Sequence, residues 1–406
     1  MPEPQARLLT RDFALVSFIT FLTFFAAFQL FPTAPLQLRN LGASLAESGR
    51  FMTVFTAGSS TGALFTGPLG DRVGQRRTVV ACALGCGLIL GAYALLRVRW
   101  GFYLLAYPHG VVWSGLLTGT MAILGRVLPE NRRADGLSLY GLASPLGVVL
   151  GPAVGLAWFG RHGFPPMVVA LAAAFLGVGL LATSLPADPP HTGTMPFFRW
   201  PGRELLLPAA IFMALALGYG ALSSYSAQEA LARAFPPLLG RLPTTSAFLS
   251  CMALGMLLMR LAMIRVGFGR TPLRLLPAMV WTAAAGLALL AFLPGGAARH
   301  GIAALIYGGG YSMIHTLLNT HVLETTPADR RGAAFGATLF AFDSGIGLGS
   351  FAIGDLIGWS CGRWGDPGFR MGWAAALLLV LAAVPLARRL QRVSEKHCPR
   401  LQMARK

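Results

Sequence analysis

The chain has 406 residues, of which 55% are hydrophobic and only 12% are charged. A soluble domain of this length carries charge on about one quarter of its residues, so the composition excludes a soluble enzyme, a disordered chain and a disulfide scaffold. The net charge of +18 would indicate nucleic acid in a soluble protein. In a polytopic membrane protein we expect that charge in the loops, with lipid as the surrounding partner and no nucleic acid.

About twelve apolar stretches follow one another along the chain, each of roughly 17–25 residues, the length at which a helix crosses a bilayer. Runs this long predict helices, because barrel strands would be about ten residues long and would alternate. The predicted fold class is therefore an all-α polytopic membrane protein with twelve transmembrane helices. The predicted spans are 13–36, 48–69, 78–96, 101–125, 135–158, 166–185, 205–231, 244–264, 275–294, 301–323, 333–358 and 371–388.

Basic residues are distributed unevenly among the loops between these spans. If the N-terminus is cytoplasmic, 22 of the 33 Lys and Arg residues fall in cytoplasmic segments and 10 fall on the other side. The remaining basic residue, Arg260, lies within the eighth span. The positive-inside rule therefore predicts a multi-pass protein of the plasma (inner) membrane with both termini in the cytoplasm.

A Pro-rich segment at 186–203 separates the first six spans from the last six, and its composition predicts an extended, semi-rigid linker. Residues on its two sides match at a constant offset of 198: Gly147 with Gly345, Gly151 with Gly349, and Arg76 with Arg274. We infer an internal duplication, with six-helix bundles at 1–185 and 204–390 and a basic cytoplasmic tail at 391–406. Duplicated halves around a midplane site are typical of secondary transporters.

The strongest local motif lies between the second and third spans. Its residues are Gly67, Gly70, Asp71, Arg72, Gly74, Arg76 and Arg77. Glycines let a helix end approach its neighbour closely, and Asp71 can lie against a helix N-terminus while the arginines stay at the cytoplasmic interface. We interpret the motif as a cytoplasmic latch, formed chiefly by Asp71, Arg72 and Arg76. The simpler alternative is a basic turn that only sets topology.

This segment resembles the loop 2–3 signature of the major facilitator superfamily, and the resemblance extends to the whole chain through the twelve spans, the central linker and the repeated half. It implies a secondary transporter, monomeric and without a cofactor, whose two bundles rock about a central cavity for a small-molecule substrate. No nucleotide loop, catalytic triad or metal-ligand spacing is visible in the sequence, so neither an enzyme nor a metal site is expected. Energy must then come from a gradient.

The fifth span carries Gly147, Gly151, Pro152 and Gly155, a spacing that makes a thin helix which a neighbour can approach closely. It is similar to the antiporter motif of exporters in this superfamily, which implies export. Ordinary packing of small residues is the alternative.

The fourth span departs from the pattern of many proton-coupled exporters, which have an Arg before a Gln-Gly pair. Here Ala106 stands at the Arg position and His109 at the Gln position. His109 could supply a titratable group instead, since the pKa of histidine lies near physiological pH. It could equally be a histidine that packs between helices.

Asp343 lies in the middle of the eleventh span. A charge within a span is costly, so Asp343 is a candidate proton carrier, or else a hydrogen-bonded structural anchor. Glu229 and Asp355 lie nearer the outer ends of their spans, where solvation is possible. Glu324, at the end of the tenth span, is expected to join the cytoplasmic gate.

The tenth span is unusually polar. Tyr311, His315 and Asn319 recur at every fourth position and so share one helix face, which we expect to line the cavity rather than face lipid. His315 is also a candidate for proton coupling. Further candidates for the substrate cavity are Gln29, Trp113, Tyr219, Tyr225 and Gln228.

The sequence thus predicts a secondary transporter that exports a small organic solute in exchange for protons. An uptake carrier or uniporter of the same fold stays open because Ala106 replaces the expected arginine. A membrane receptor or assembly protein without transport activity is the alternative of another class, and the intact loop signature argues against it. The substrate itself is not indicated.

Overall fold

The structure is a computed structural model that describes residues 8–129, 136, 139–188, 202–238, 244–266, 273–326 and 331–397. Most of these residues lie in twelve long helices. The helices are α1 (Arg11–Asn40), α2 (Leu45–Val73), α3 (Gln75–Leu95), α4 (Arg99–Val127), α5 (Ala143–His162), α6 (Phe164–Ala182), α7 (Leu206–Ala232), α8 (Thr244–Val266), α9 (Leu276–Phe292), α10 (Ala297–Thr325), α11 (Arg331–Trp364) and α12 (Phe369–His397). Most of the predicted linker, at 189–201, and the end of the tail, at 398–406, lie outside the described residues.

Ten helices in this part of the chain are long and apolar enough to cross a bilayer, and α2 and α10 fall short. Both are rich in polar side chains that neighbouring helices can shelter from lipid. The extensive contacts of α2 with α4 and α11, and of α10 with α8 and α9, provide that shelter. The prediction of an all-helical multi-pass membrane protein is confirmed, and ten of its twelve spans are supported by composition.

The fifth span is the one whose start differs most from the prediction. The sequence predicts 135–158, whereas α5 runs Ala143–His162. Gly163, with φ of +80°, then turns the chain directly into α6. Glycine adopts this left-handed backbone without strain, so the turn needs only one residue and α5 extends up to it.

Helices α1–α6 contact mainly one another, and so do α7–α12. The largest contact between the two sets joins α2 to α11, and the next joins α5 to α8. We call the end of the molecule that carries the α2–α3 turn at Gly74 the motif end, and the end that carries the α1–α2 turn at Gly42 the far end.

The glycines of the fifth span face α1. A Cβ atom added to Gly151 would lie 2.9 Å from the carbonyl oxygen of Phe25, and one added to Gly155 would lie 2.6 Å from Cβ of Gln29. Gly147 lies against the same helix, 2.6 Å from the backbone nitrogen of Phe25 by the same measure. These glycines therefore set how closely α1 and α5 pack, whatever else the motif does.

Replacing Gly151 by Val should lower the free energy of unfolding by about 1–3 kcal/mol, because the added atoms overlap the α1 backbone. The matched control is Gly160→Val on the same helix, where a Cβ atom meets nothing within 4 Å. The measurement is the thermal unfolding midpoint of the purified protein in detergent. Equal midpoints for the two variants would contradict the packing role.

Candidate functional site

The largest contact between the two sets of helices is a polar one. We define the seam as the contacts that residues 46–59 of α2 make with α7 and α11. Within it the Thr53 hydroxyl donates to the carbonyl of Gly347 at 3.0 Å, and the Ser350 hydroxyl donates to the carbonyl of Gly49 at 2.9 Å. Hydrogen bonds of this kind satisfy polar groups that lipid could not.

Tyr225 and Gln228, predicted as cavity residues, lie in the seam. The Tyr225 hydroxyl donates to the carbonyl of Ser350 at 3.1 Å, and a side chain at Gly49 would overlap it. The Gln228 amide contacts the Ser48 hydroxyl at 3.1 Å. Both side chains therefore help to close the far end between α2, α7 and α11.

Asp343 lies on the seam, opposite Ser59 of α2. Its side chain is buried, and the Ser59 hydroxyl of α2 donates to Oδ2 at 2.5 Å. No Lys, Arg or His of the described residues lies within ion-pair distance of this carboxylate. A buried carboxylate with one neutral donor is a costly group, and it stands where the two sets of helices meet.

The polar face of α10 lies beside Asp343 and contacts aromatic side chains of α7 and α11. Tyr219 stacks on Tyr311 with ring centroids 4.9 Å apart, and Phe342 lies 5.5 Å from the His315 ring. The Asn319 amide donates to Nδ1 of His315 at 2.9 Å. We call these five residues the polar cluster, and it brings together four of the predicted cavity residues.

Three predicted residues lie elsewhere, in the packing of the first six helices. His109 is buried, with its ring 5.2 Å from Phe55 and 5.8 Å from Tyr93. Trp113 belongs to the same aromatic packing, and Gln29 donates to its own helix at the carbonyl of Phe25, 3.3 Å away. The structure places His109 in a packing position apart from the polar cluster.

At the motif end, the predicted latch is held by an acid that the sequence analysis did not single out. Gly74, with φ of +105°, makes the turn between α2 and α3. The Asp188 carboxylate accepts hydrogen bonds from the backbone N–H groups of Gln75 at 2.9 Å and Arg76 at 3.1 Å. It also pairs with Arg126 at 2.9 Å, so one carboxylate caps α3 and ties it to the end of α4.

The other members of the predicted latch have different surroundings. Arg76 donates to the carbonyl of Leu185 at 3.2 Å, while Arg72 and Arg77 are exposed. The side chains of Asp71 and Glu324 lie outside the described residues. The contacts described at this turn therefore tie helices of the first six to one another.

Replacing Asp188 by Ala should lower the free energy of unfolding by about 1–2 kcal/mol, because α3 loses its cap and Arg126 its partner. Asp188→Asn should cost less, since an amide oxygen still caps the helix. The control is Glu395→Ala, which removes an exposed ion pair with Arg274 and should change the midpoint little. Detergent-phase thermal unfolding measures all three, and an Asp188→Ala midpoint equal to that of the control would argue against the cap.

Glu229, expected near solvent, is instead fully buried at the far end of α7, so that expectation is wrong. Arg233 lies 3.1 Å and Arg299 3.5 Å from Oε1, and the Trp373 indole donates to Oε2 at 2.8 Å. His300 lies 3.7 Å from Oε2. Two cations and an indole N–H offset the cost of burying the Glu229 carboxylate. The resulting ion cluster joins α7, α10 and α12.

Replacing Glu229 by Gln should lower the free energy of unfolding by about 3 kcal/mol, because two arginines lose the buried charge that they face. Asp355→Asn is the matched control: that carboxylate is 45% exposed and 3.8 Å from Arg50. It should change stability by less than about 0.5 kcal/mol. Unfolding midpoints that fall equally in the two variants would contradict the buried ion cluster.

Comparison with known proteins gives matches over most of the chain. MdtG of Yersinia enterocolitica, named a multidrug resistance protein, is 27% identical over 149 residues, which span 36% of this chain and 36% of MdtG. An uncharacterised MFS-type transporter of Burkholderia pseudomallei is 28% identical over 350 residues, covering 80% of this chain and 79% of its own.

Solved structures agree at the level of the fold. The crystal structure of the human organic anion transporter MFSD10 superposes with a TM-score of 0.71 at 15% identity, covering 92% of this chain and 99% of that one. Residues 16–350 match the family described as Major Facilitator Superfamily. A match of this extent, with a fold shared along nearly the whole chain, means that the protein belongs to the Major Facilitator Superfamily.

Proposed function

We propose that this protein is a secondary active transporter that moves a small organic solute across the plasma membrane by alternating access and couples that movement to protons. The proposal takes α1–α6 and α7–α12 as two bundles, joined by the 186–203 linker, that rock against each other as a monomer. It also takes all twelve helices as spans, with both termini and the motif end in the cytoplasm. The distribution of basic loop residues supports that orientation.

The observation that carries the proposal is the buried Asp343 carboxylate on the seam, bonded to Ser59 of the other bundle at 2.5 Å. Burying a carboxylate without a cation is costly, and binding a proton removes that cost. Parting of the seam would admit water to Asp343, and closing would expel it. The group can therefore exchange a proton with one side of the membrane in each conformation, which is what coupling requires.

Export is supported by the glycines of α5, which lie at the positions of the antiporter motif, and by the likeness to a multidrug resistance protein. Drug-like solutes are therefore one candidate substrate class, and organic anions are another, suggested by the name of the structural relative MFSD10. His315, in the polar cluster beside Asp343, is the second candidate for proton transfer. His109 is a weaker one, because its ring is enclosed by Phe55 and Tyr93.

Uptake is the second candidate function, and one observation favours it. Ala106 is fully buried at the position where proton-coupled exporters carry an arginine, so that route of coupling is missing here. Flux measured in both directions in proteoliposomes distinguishes the two.

Asp343→Asn should abolish transport driven by a pH gradient, lowering its rate more than about tenfold, because the amide binds no proton at these pH values. Exchange of labelled for unlabelled solute, which needs no net proton movement, should continue. The matched control is Asp355→Asn on the same helix, whose carboxylate is exposed.

Proteoliposomes with an imposed pH gradient give both rates for each variant. Full pH-driven transport by Asp343→Asn would refute the assignment of the proton carrier. Loss of exchange together with driven transport would point to a structural role for Asp343 instead.

A further inference from the structure

Arg260 is a cation in the interior of α8, and its contacts join three helical segments. Its Nε donates to the Ser312 hydroxyl of α10 at 2.7 Å, and its Nη1 donates to the carbonyl of Gly141, just before α5. No carboxylate among the described residues lies within ion-pair distance of it. Within the described part of the chain, the guanidinium is thus held by two neutral acceptors at the contact between α5 and α8.

A guanidinium within the membrane is costly unless an anion offsets its charge. Neutral oxygens satisfy individual N–H donors but leave the positive charge in place, and arginine has more N–H groups than these two contacts use. Arg260 is also only partly buried. Among the described residues, the element missing at this position is a negative charge.

The polar cluster adjoins Arg260 along α10. Ser312, the residue that Arg260 contacts, follows Tyr311 directly, and His315 lies one turn further along the same helix. Tyr219 and Phe342 complete an aromatic surface at that point. A cation and an aromatic surface next to each other suit a solute that combines an anionic group with an apolar body.

The packing of the first six helices shows that the fold does not require an arginine here. Gly110 of α4 lies against the carbonyl of Phe55 on α2, and Gly308 of α10 lies against the carbonyl of Met252 on α8. The two helix pairs therefore pack through equivalent glycines, and Phe55 and Met252 differ by 197 in residue number.

At the same offset, the counterpart of Arg260 is Ala63, a buried small residue that packs without any charge. A helix pair of this kind is thus stable with alanine at the position. Arginine in the second half needs a reason other than packing, and the costly charge that it introduces points to a ligand.

We propose that Arg260 binds the anionic group of the transported solute, a carboxylate or sulfonate, while the aromatic surface of Tyr219, Tyr311 and Phe342 contacts its apolar part. The proposal rests on the transport function proposed above and specifies its substrate class. In this arrangement the solute replaces Gly141 as the partner of Nη1, and the carbonyl contact holds the side chain in place between transport cycles.

The test is ligand-induced stabilisation of the purified full-length protein in detergent, which needs no gradient. The probes are benzoate, succinate and naphthalenesulfonate as anions, benzamide as the neutral counterpart of benzoate, and tetraphenylphosphonium as a cation. At least one anion should raise the unfolding midpoint of the wild-type protein while benzamide and the cation do not. The apparent affinity for that anion should fall about ten- to a hundredfold in Arg260→Gln, because a charge-assisted hydrogen bond is lost.

Arg260→Lys keeps the charge but lacks the planar fork, so it should weaken binding less than Arg260→Gln does, and it serves if the glutamine variant does not fold. Arg274→Gln is the matched control, because that arginine is exposed at the motif end and pairs with Glu395. It should bind the anion as the wild-type protein does.

Equal anion affinities for Arg260→Gln and the wild-type protein would overturn the proposal and leave Arg260 as a contact between the bundles. Stabilisation only by benzamide or tetraphenylphosphonium, or by none of the probes, would overturn it as well. Failure of the transport function is a separate result, seen as absence of solute flux in wild-type proteoliposomes that still bind the anion.

Discussion

A lipid bilayer offers no hydrogen-bond partner to a hydroxyl or a peptide group, and this constraint decides where the polar residues of this protein lie. Thr53, Ser59 and Ser350 each direct a hydroxyl across the seam to an acceptor in the other set of helices. If the two sides part, as the proposed function requires, water takes the place of each partner. The seam can therefore exist closed or hydrated, and a half-open state with dry, unpaired groups is the costly one. Such a contact favours two conformations over a continuum.

Much of the fold could be predicted from the sequence because hydropathy and helix geometry act locally. The shared face of Tyr311, His315 and Asn319 follows from their spacing alone, and two of the three meet in the structure through a hydrogen bond. Hydropathy is least informative for α2 and α10, because both helices carry polar side chains that neighbouring helices shelter from lipid. The end of α5 depends on a single glycine turn, which hydropathy does not detect.

The parts of the site that sequence reasoning missed depend on contacts between distant segments. Asp188 reaches the start of α3 across 113 positions, and the Glu229 carboxylate meets Trp373 across 144. The position of Glu229 near the end of its span did not indicate that Arg233 and Arg299 would surround it. The sequence likewise did not indicate which helix α7 faces, so Tyr225 was expected in a cavity and lies in the seam. Arg260 could have been singled out as a site residue from the sequence, since a charge inside a span is itself unusual.

The two sets of helices differ in what they contribute to their interface. Asp343 and Arg260 both belong to the second set, and their partners in the first set are neutral: a serine hydroxyl and a glycine carbonyl. An ion pair buried across this interface would cost several kcal/mol to separate, about 3–5 kcal/mol when one charge is left behind. A neutral partner costs less to exchange for water or for a ligand, because the net free energy of a hydrogen bond with one charged partner is about 1.5–3 kcal/mol and no second charge is left unpaired. Among the described residues, Arg50 and Asp355 form an ion pair across the seam, but the two side chains are 44% and 45% exposed, so the pair contributes little. With the charges of Asp343 and Arg260 on one side and their neutral partners on the other, the interface is specific when closed and easily parted, which is what the proposed alternating access requires.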